Sequence, residues 1–166
     1  MLQSRHVNAV YRLPLTLALG AALASIALAQ TATTPDLSGT WKLNLAKSKL
    51  DKHNTVASEN ITITSKDSTI EFHYTTDGKE STNRHVADGK ERRLADVKVG
   101  YVVEKATWKK SVLVIETSGR ADASTGVGGS QLWVTTDRWT LSADGLSLKL
   151  DSEGFDNHQR FIYEKQ

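Results

Sequence analysis

The sequence predicts an all-β fold, an antiparallel up-and-down β-barrel of about eight to ten short strands, on three observations. Apolar and polar residues alternate in Glu59-Asn60-Ile61-Thr62-Ile63-Thr64, from Ser68 to Thr75 and from Leu146 to Asp151. A period of two over such windows marks strands with one buried face. Asp77-Gly78, Asp88-Gly89 and Asp144-Gly145 stand between alternating runs, and Asp-Gly suits a tight hairpin because both residues tolerate positive φ. The third observation is Gly39-Thr40-Trp41-Lys42-Leu43, which sets a large aromatic at the head of a strand, where it would plug one end of a small barrel.

Taken in order, the chain begins with the three parts of an export signal. Arg5 and Arg12 give a positive start, Leu13 to Ala29 is nearly unbroken apolar sequence, and Ala27-Leu28-Ala29 is the small-x-small pattern cut before Gln30. The apolar run falls short of the ~20 residues that span a bilayer, and Pro14 interrupts its start. Cleavage, rather than a retained membrane anchor, is therefore expected. The predicted organisation is a signal peptide over 1–29, a polar N-terminal tether over 30–37 and one barrel domain over 38–166, in a periplasmic or secreted protein of bacterial type.

Within the domain, strands around Trp41 and Phe161 would pair and close the barrel, which removes the sheet's edges. Ile61, Ile63, Ile70, Phe72, Tyr74, Leu146, Leu148 and Leu150 form the expected interior set. Between Ala46 and Ser58 there is room for one short turn of helix. Asp77-Gly78-Lys79-Glu80 recurs as Asp88-Gly89-Lys90-Glu91, read as two successive hairpin turns of a meander. Val97 to Val103, Val112 to Ile115, and Leu132 with Trp133, Trp139 and Leu141 are apolar on both faces. Their outer residues would pack a terminal segment or a second subunit, so a homodimer is one expectation.

Composition excludes several classes. The signal carries two of the 21 basic residues and none of the 19 acidic ones, leaving 19 of each in the rest of the chain. No basic stripe remains, and nucleic acid is not an expected partner. The absence of cysteine removes disulfide scaffolds, thiol chemistry and Cys-based zinc sites. His53, His73, His85 and His158 lack metal-ligand spacing; Glu71, His73 and His85 read as outward-facing polar positions, so no metal and no cofactor are expected. Asp137 and Asp144, like Asp151 and Glu153, read as solvated surface acids. Gly126-Val127-Gly128-Gly129 lacks the ending of a phosphate loop and reads as a connection, or a lid, within Gly119 to Ser130. No nucleophile–base pair is recognisable, so no catalytic residue is assigned and no enzyme is expected.

Gly39-Thr40-Trp41-Lys42-Leu43-Asn44 near the start, Trp139-Thr140-Leu141-Ser142-Ala143-Asp144-Gly145 late in the chain and Arg160-Phe161-Ile162-Tyr163-Glu164-Lys165 at its end resemble the calycin superfamily. The likeness is closest to short secreted bacterial lipocalin-like proteins. That resemblance implies a structural pair closing the barrel floor, with Arg160 stacked on Trp41. It also implies a small hydrophobic ligand in the interior, with Phe72 and Tyr74 as the ligand-binding residues. Two features of fatty-acid-binding proteins are not expected here. The segment from Ala46 to Ser58 is too short for their two-helix lid. Arg160 and Tyr163, three residues apart, should also face opposite sides of the sheet, where that family grips a carboxylate with an inward Arg-x-Tyr pair. Two readings follow: a carrier or scavenger of a small apolar molecule, or a barrel filled by its own side chains that acts through its outer surface near Trp133.

Overall fold

Ten antiparallel strands follow one another along the chain in a computed structural model that describes residues 34–98, 100–154 and 156–166. They are β1 (Gly39–Leu43), β2 (Glu59–Lys66), β3 (Thr69–Thr76), β4 (Lys79–Val86), β5 (Glu91–Val97), β6 (Gly100–Lys109), β7 (Val112–Ala121), β8 (Gln131–Leu141), β9 (Ser147–Glu153) and β10 (His158–Lys165). The expected signal over 1–29 and the first residues of the expected tether lie outside the described residues. Leu37, assigned to the tether, is in fact fully buried and accepts a 3.0 Å hydrogen bond from Trp41 Nε1. The packed domain therefore starts before Ser38.

The strands form one sheet in the order β4-β3-β2-β1-β10-β9-β8-β7-β6-β5. β1 pairs with β10 as expected, with Trp41 opposite Lys165 and Leu43 opposite Tyr163. Closure is not complete, however. β4 and β5 are the two ends of the sheet and share no ladder, so the barrel has a seam where the sequence led us to expect a hairpin.

The residues around Asp88-Gly89 explain it. The Asp88 carboxylate accepts from Lys90 N and takes both ends of the Arg92 guanidinium at 2.8 and 2.7 Å. Ala87 N donates to Ser68 O and Gly89 N to Ala106 O. The chain is thus tied to the β2–β3 turn and to β6 and crosses between them, whereas a hairpin would fold it back on β4. The sheet is nevertheless rolled: His85 Nδ1 on β4 lies 3.0 Å from Glu104 Oε1 on β6.

Asp77-Gly78 is a true two-residue hairpin, with φ of 48° and 79°, joining β3 to β4. Asp144-Gly145 lies in the turn between β8 and β9. Two tight turns carried no Asp-Gly signal: Asp67 between β2 and β3, and Lys110 between β6 and β7, take φ of 55° and 58°. A single 3₁₀ turn over Leu45–Lys47, capped by the Asn44 side chain, precedes β2. Among residues 44–58 no further helix occurs.

The core gathers Leu37, Trp41, Ile61, Ile63, Ile70, Phe72, Leu113, Ile115, Trp139, Leu148, Leu150 and Tyr163. Three expectations need correction. Leu146 has the parity of Leu148 and Leu150 but is 62% exposed, because β9 begins only at Ser147 and leaves it in the turn. Val97 to Val103 is not one strand, since β5 ends at Val97 and β6 starts at Gly100. The residue over Trp41 is Lys165, whose Nζ sits 5.4 Å from the ring centroid, not Arg160. Arg160 points outward and donates from Nε to Asp151 at 2.6 Å. The physical reason is the β1–β10 register, which sets Trp41 five residues beyond Arg160. By contrast, β6 and β7 are buried on both faces, Val103 and Val114 opposite to Ala106 and Leu113.

Candidate binding cavity

Strand alternation turns a mixed set of side chains into the barrel. The Asp77-Gly78 hairpin pairs Phe72 with Asn83 and Ile70 with His85, so Asn83 and His85 share the inward face with Phe72 and Tyr74. On the far wall, β6 and β7 pair Glu104 with Thr117 and Ala106 with Ile115. β7 and β8 then pair Ile115 with Asp137 and Leu113 with Trp139.

These residues surround a cavity of about 400 Å³, lined by Tyr74, His85, Glu104, Ile115, Thr117, Asp137 and Trp139, with Asn83 beside them. Thr82 and Arg84 from the outer parity of β4, and Leu94 from β5, complete the lining. Residues from both sides of an edge strand can border one hollow only at that edge, so the cavity opens through the β4/β5 seam. A smaller hollow of about 220 Å³ lies on the outer face of β6–β8, around Val103, Ser118 and Arg120.

Below the cavity the interior is filled by rings. Phe72 lies 4.9 Å from Trp139 and 5.4 Å from His85, edge-on to the imidazole, and Trp139 stacks on Tyr163 at 5.9 Å. Such pairs add about 0.5–1.5 kcal/mol each beyond the area they bury. Of the two expected ligand-binding residues, Tyr74 lines the cavity and Phe72, fully buried, packs in the aromatic layer behind it.

The polar groups are distributed unevenly. Glu59 receives Tyr163 Oη at 2.6 Å and Thr76 Oγ1 at 2.5 Å, which satisfies both carboxylate oxygens. The Tyr163 hydroxyl is held far above its ordinary range, by burial first and then by the charge of Glu59. Burial raises Tyr74 as well, reinforced by the charges of Glu59 and Asp137. Both phenols stay protonated.

His85 and Glu104 form the other group, with side chains 12% and 8% exposed. Their 3.0 Å separation is that of an ion pair, once the imidazole is protonated. Yet Nδ1 is buried without an aligned hydrogen bond. The contact is therefore electrostatic rather than a hydrogen bond, since a hydrogen bond weakens steeply off axis.

Asp137 has its pKa raised from the ordinary 3.8 by burial, a shift opposed by a hydrogen bond with Ser152 and by His85. A carboxyl that binds its proton more tightly when folded destabilises the fold as pH rises above the ordinary carboxylate range. Asp137→Asn is thus expected to melt at a higher temperature than the parent at neutral pH. That gain should vanish near pH 3.5, about where the unfolded carboxyl also becomes protonated. Melting curves at the two pH values check it; equal gains at both would refute the burial account.

His85, Glu104, Asp137 and Glu59 were not among the site residues expected from sequence. The sequence puts His85 outward beside Glu71 and His73, and Asp137 on the surface, whereas the strand register turns both inward. Glu71 and His73 do face out, His73 bonding to Thr82, but His85 has the opposite parity and faces in. Among the described residues no cluster of three or more His, Cys, Asp or Glu side chains could hold a metal ion.

No family model and no curated protein matches the sequence. Solved structures do. Fatty-acid-binding protein 1 of Echinococcus granulosus is similar at 17% identity, over 77% of this chain and 96% of that one, with a TM-score of 0.53. The apo form of lipid binding protein 8 of Caenorhabditis elegans aligns at 11% identity over 78% and 94%, with a TM-score of 0.57. A secretory abundant heat soluble protein of Ramazzottius varieornatus aligns at 11% over 80% and 98%, with a TM-score of 0.55. At such identities the likeness is one of fold. The up-and-down antiparallel sheet described above is the fold that these solved structures share with this chain.

Proposed function

We propose that this protein binds a small apolar molecule inside the barrel, as a carrier or scavenger exported to the periplasm or beyond. The observation that carries the reading is the cavity of about 400 Å³ behind the seam, within the ~300–1,000 Å³ usual for ligand pockets. Trp139, Ile115, Tyr74 and Leu94 give it an apolar wall. A seam without ladder hydrogen bonds supplies a way in. The names of two neighbours, a fatty-acid-binding protein and a lipid binding protein, support the same class of ligand. The export signal read at 1–29 supports the location, and the interior groups are suited to recognition rather than to covalent catalysis.

A filled barrel acting through its surface is the second reading. It rests on the exposed run Leu132, Trp133 and Val134 of β8, an apolar patch of the kind that contacts partners.

Native mass spectrometry of the processed protein, exported by its own signal and purified without detergent, should show an added mass that organic extraction removes. The neutral fluorophore N-phenyl-1-naphthylamine should bind saturably with 1:1 stoichiometry. Thr117→Phe, which fills the cavity from β7, should weaken that binding at least about tenfold, since an inserted ring takes the ligand's place. Unchanged dye affinity in Thr117→Phe, with the variant folded by circular dichroism, would move the dye elsewhere and favour the filled barrel.

A further inference from the structure

We infer that the cavity selects an amphiphilic cation, a long-chain ammonium, whose head sits between Glu104 and Asp137 against Trp139 and Tyr74, and not a fatty-acid anion. The inference rests on the binding reading above and names the ligand's chemistry.

The charged groups that line the cavity are Glu104, Asp137, His85 and Arg84. Two carboxylates thus face one imidazole inside and one guanidinium at the mouth. Arg84 is 65% exposed and leans toward Glu71, 3.5 Å away, so it belongs to the solvent side. Arg92, opposite Glu104 in the β5–β6 register, is held at the crossover by both oxygens of Asp88 and by the carbonyls of Val86 and Lys90. Among the described residues that line the cavity, Arg84 at the mouth is the one guanidinium, and it pairs with Glu71 on the outer face. Arg160 faces outward onto Asp151.

The cavity is instead rich in acceptors. Glu104, with its side chain 8% exposed, has His85 beside it, and the buried His85 Nδ1 makes no hydrogen bond of its own. An ammonium brings three N–H donors, enough to serve both carboxylates, which flank β7 on the same wall. Burial makes the pairing selective, because a charge in a desolvated site needs an opposite charge and hydrogen bonds to offset its lost hydration. Trp139 and Tyr74 line the same cavity and give the alkyl chain an apolar surface beside the head. A second negative group entering beside Glu104 and Asp137 would have to be protonated or expelled.

Isothermal titration at pH 7 with three ligands of one chain length, decylammonium, decanol and decanoate, separates the terms. Decanol reads the apolar cavity and the other two read its charge. Decylammonium is expected to bind at least about tenfold more tightly than decanol, and decanoate more weakly than either. Glu104→Gln with Asp137→Asn should reduce the ammonium-to-alcohol affinity ratio by about tenfold or more. Decanoate binding more tightly than decanol, or an ammonium-to-alcohol ratio near one, would overturn the charge assignment while leaving the carrier reading intact. If none of the three binds, both fall together.

Discussion

Trp41→Ala is expected to be among the most damaging single substitutions in the domain, costing about 3–5 kcal/mol, as aromatic-to-alanine changes in cores do. Trp41 is fully buried, and three terms act at once. The indole removes a large apolar area from water. Its Nε1–H satisfies the carbonyl of Leu37, and its ring face carries Lys165 Nζ. Against a total stability of about 5–15 kcal/mol, the melting temperature should fall by roughly 10–20 °C. Trp41→Phe separates the terms, since it keeps most of the apolar volume but orphans the Leu37 carbonyl; a loss of about 1–3 kcal/mol is expected. Thermal and urea unfolding of both variants decide. A Phe variant as stable as the parent would show that the hydrogen bond contributes nothing and that Trp41 acts by volume alone.

Gly100→Ala adds one methyl group and is expected to cost about 3 kcal/mol, the upper end for overpacking. A Cβ at this position would lie 1.8 Å from the Arg120 carbonyl oxygen and 3.1 Å from Ala121 Cα. These are backbone atoms of β7, so no side chain can rotate aside. The two strands must part where β6 enters the sheet. Gly78→Ala is the matched control: nothing lies within 4 Å of its added Cβ, but φ is +79°, and the expected loss is about 1 kcal/mol of backbone strain. Urea midpoints of the pair test the ranking, and a Gly100 variant less affected than the Gly78 variant would refute the close-packing argument.

The strands and the core were legible because local signals fix them. The period of two set the faces of β2, β3 and β9, and the Gly-x-Trp start marked the plug. The inward position of His85 is also within reach of the sequence. A two-residue turn at Asp77-Gly78 pairs Thr76 with Lys79, and counting back along both strands brings His85 opposite Ile70, hence inside. Asp137 offered no such route. A nine-residue connection separates β7 from β8, and a loop of that length leaves register open. The exchange of Arg160 for Lys165 over Trp41 has the same origin, since β1 and β10 meet from opposite ends of the domain and no spacing in sequence sets their alignment. The seam was hidden for a different reason. Asp88-Gly89 has the chemistry of a hairpin turn, and only the contacts of its neighbours with Ser68 and Ala106 divert it.

An open seam changes what breathing of the barrel costs. Elsewhere, parting two strands means breaking a row of backbone hydrogen bonds in concert. Between β4 and β5 there is no such row, and the ties nearby are the anchors at Ala87 and Gly89 and the His85–Glu104 contact. Opening there is a local fluctuation, uncoupled from global unfolding. The seam can therefore part on a timescale set by side-chain and edge-strand motion, while the opposite wall, built on β1, β9 and β10, holds the fold together. The exposed edges carry their own protection against pairing with a second sheet, since β4 reads Lys-Glu-Ser-Thr-Asn-Arg-His-Val and β5 begins Glu-Arg-Arg, charges that discourage strand addition. The protein thus keeps a permanently unzipped edge at little risk of polymerising through it.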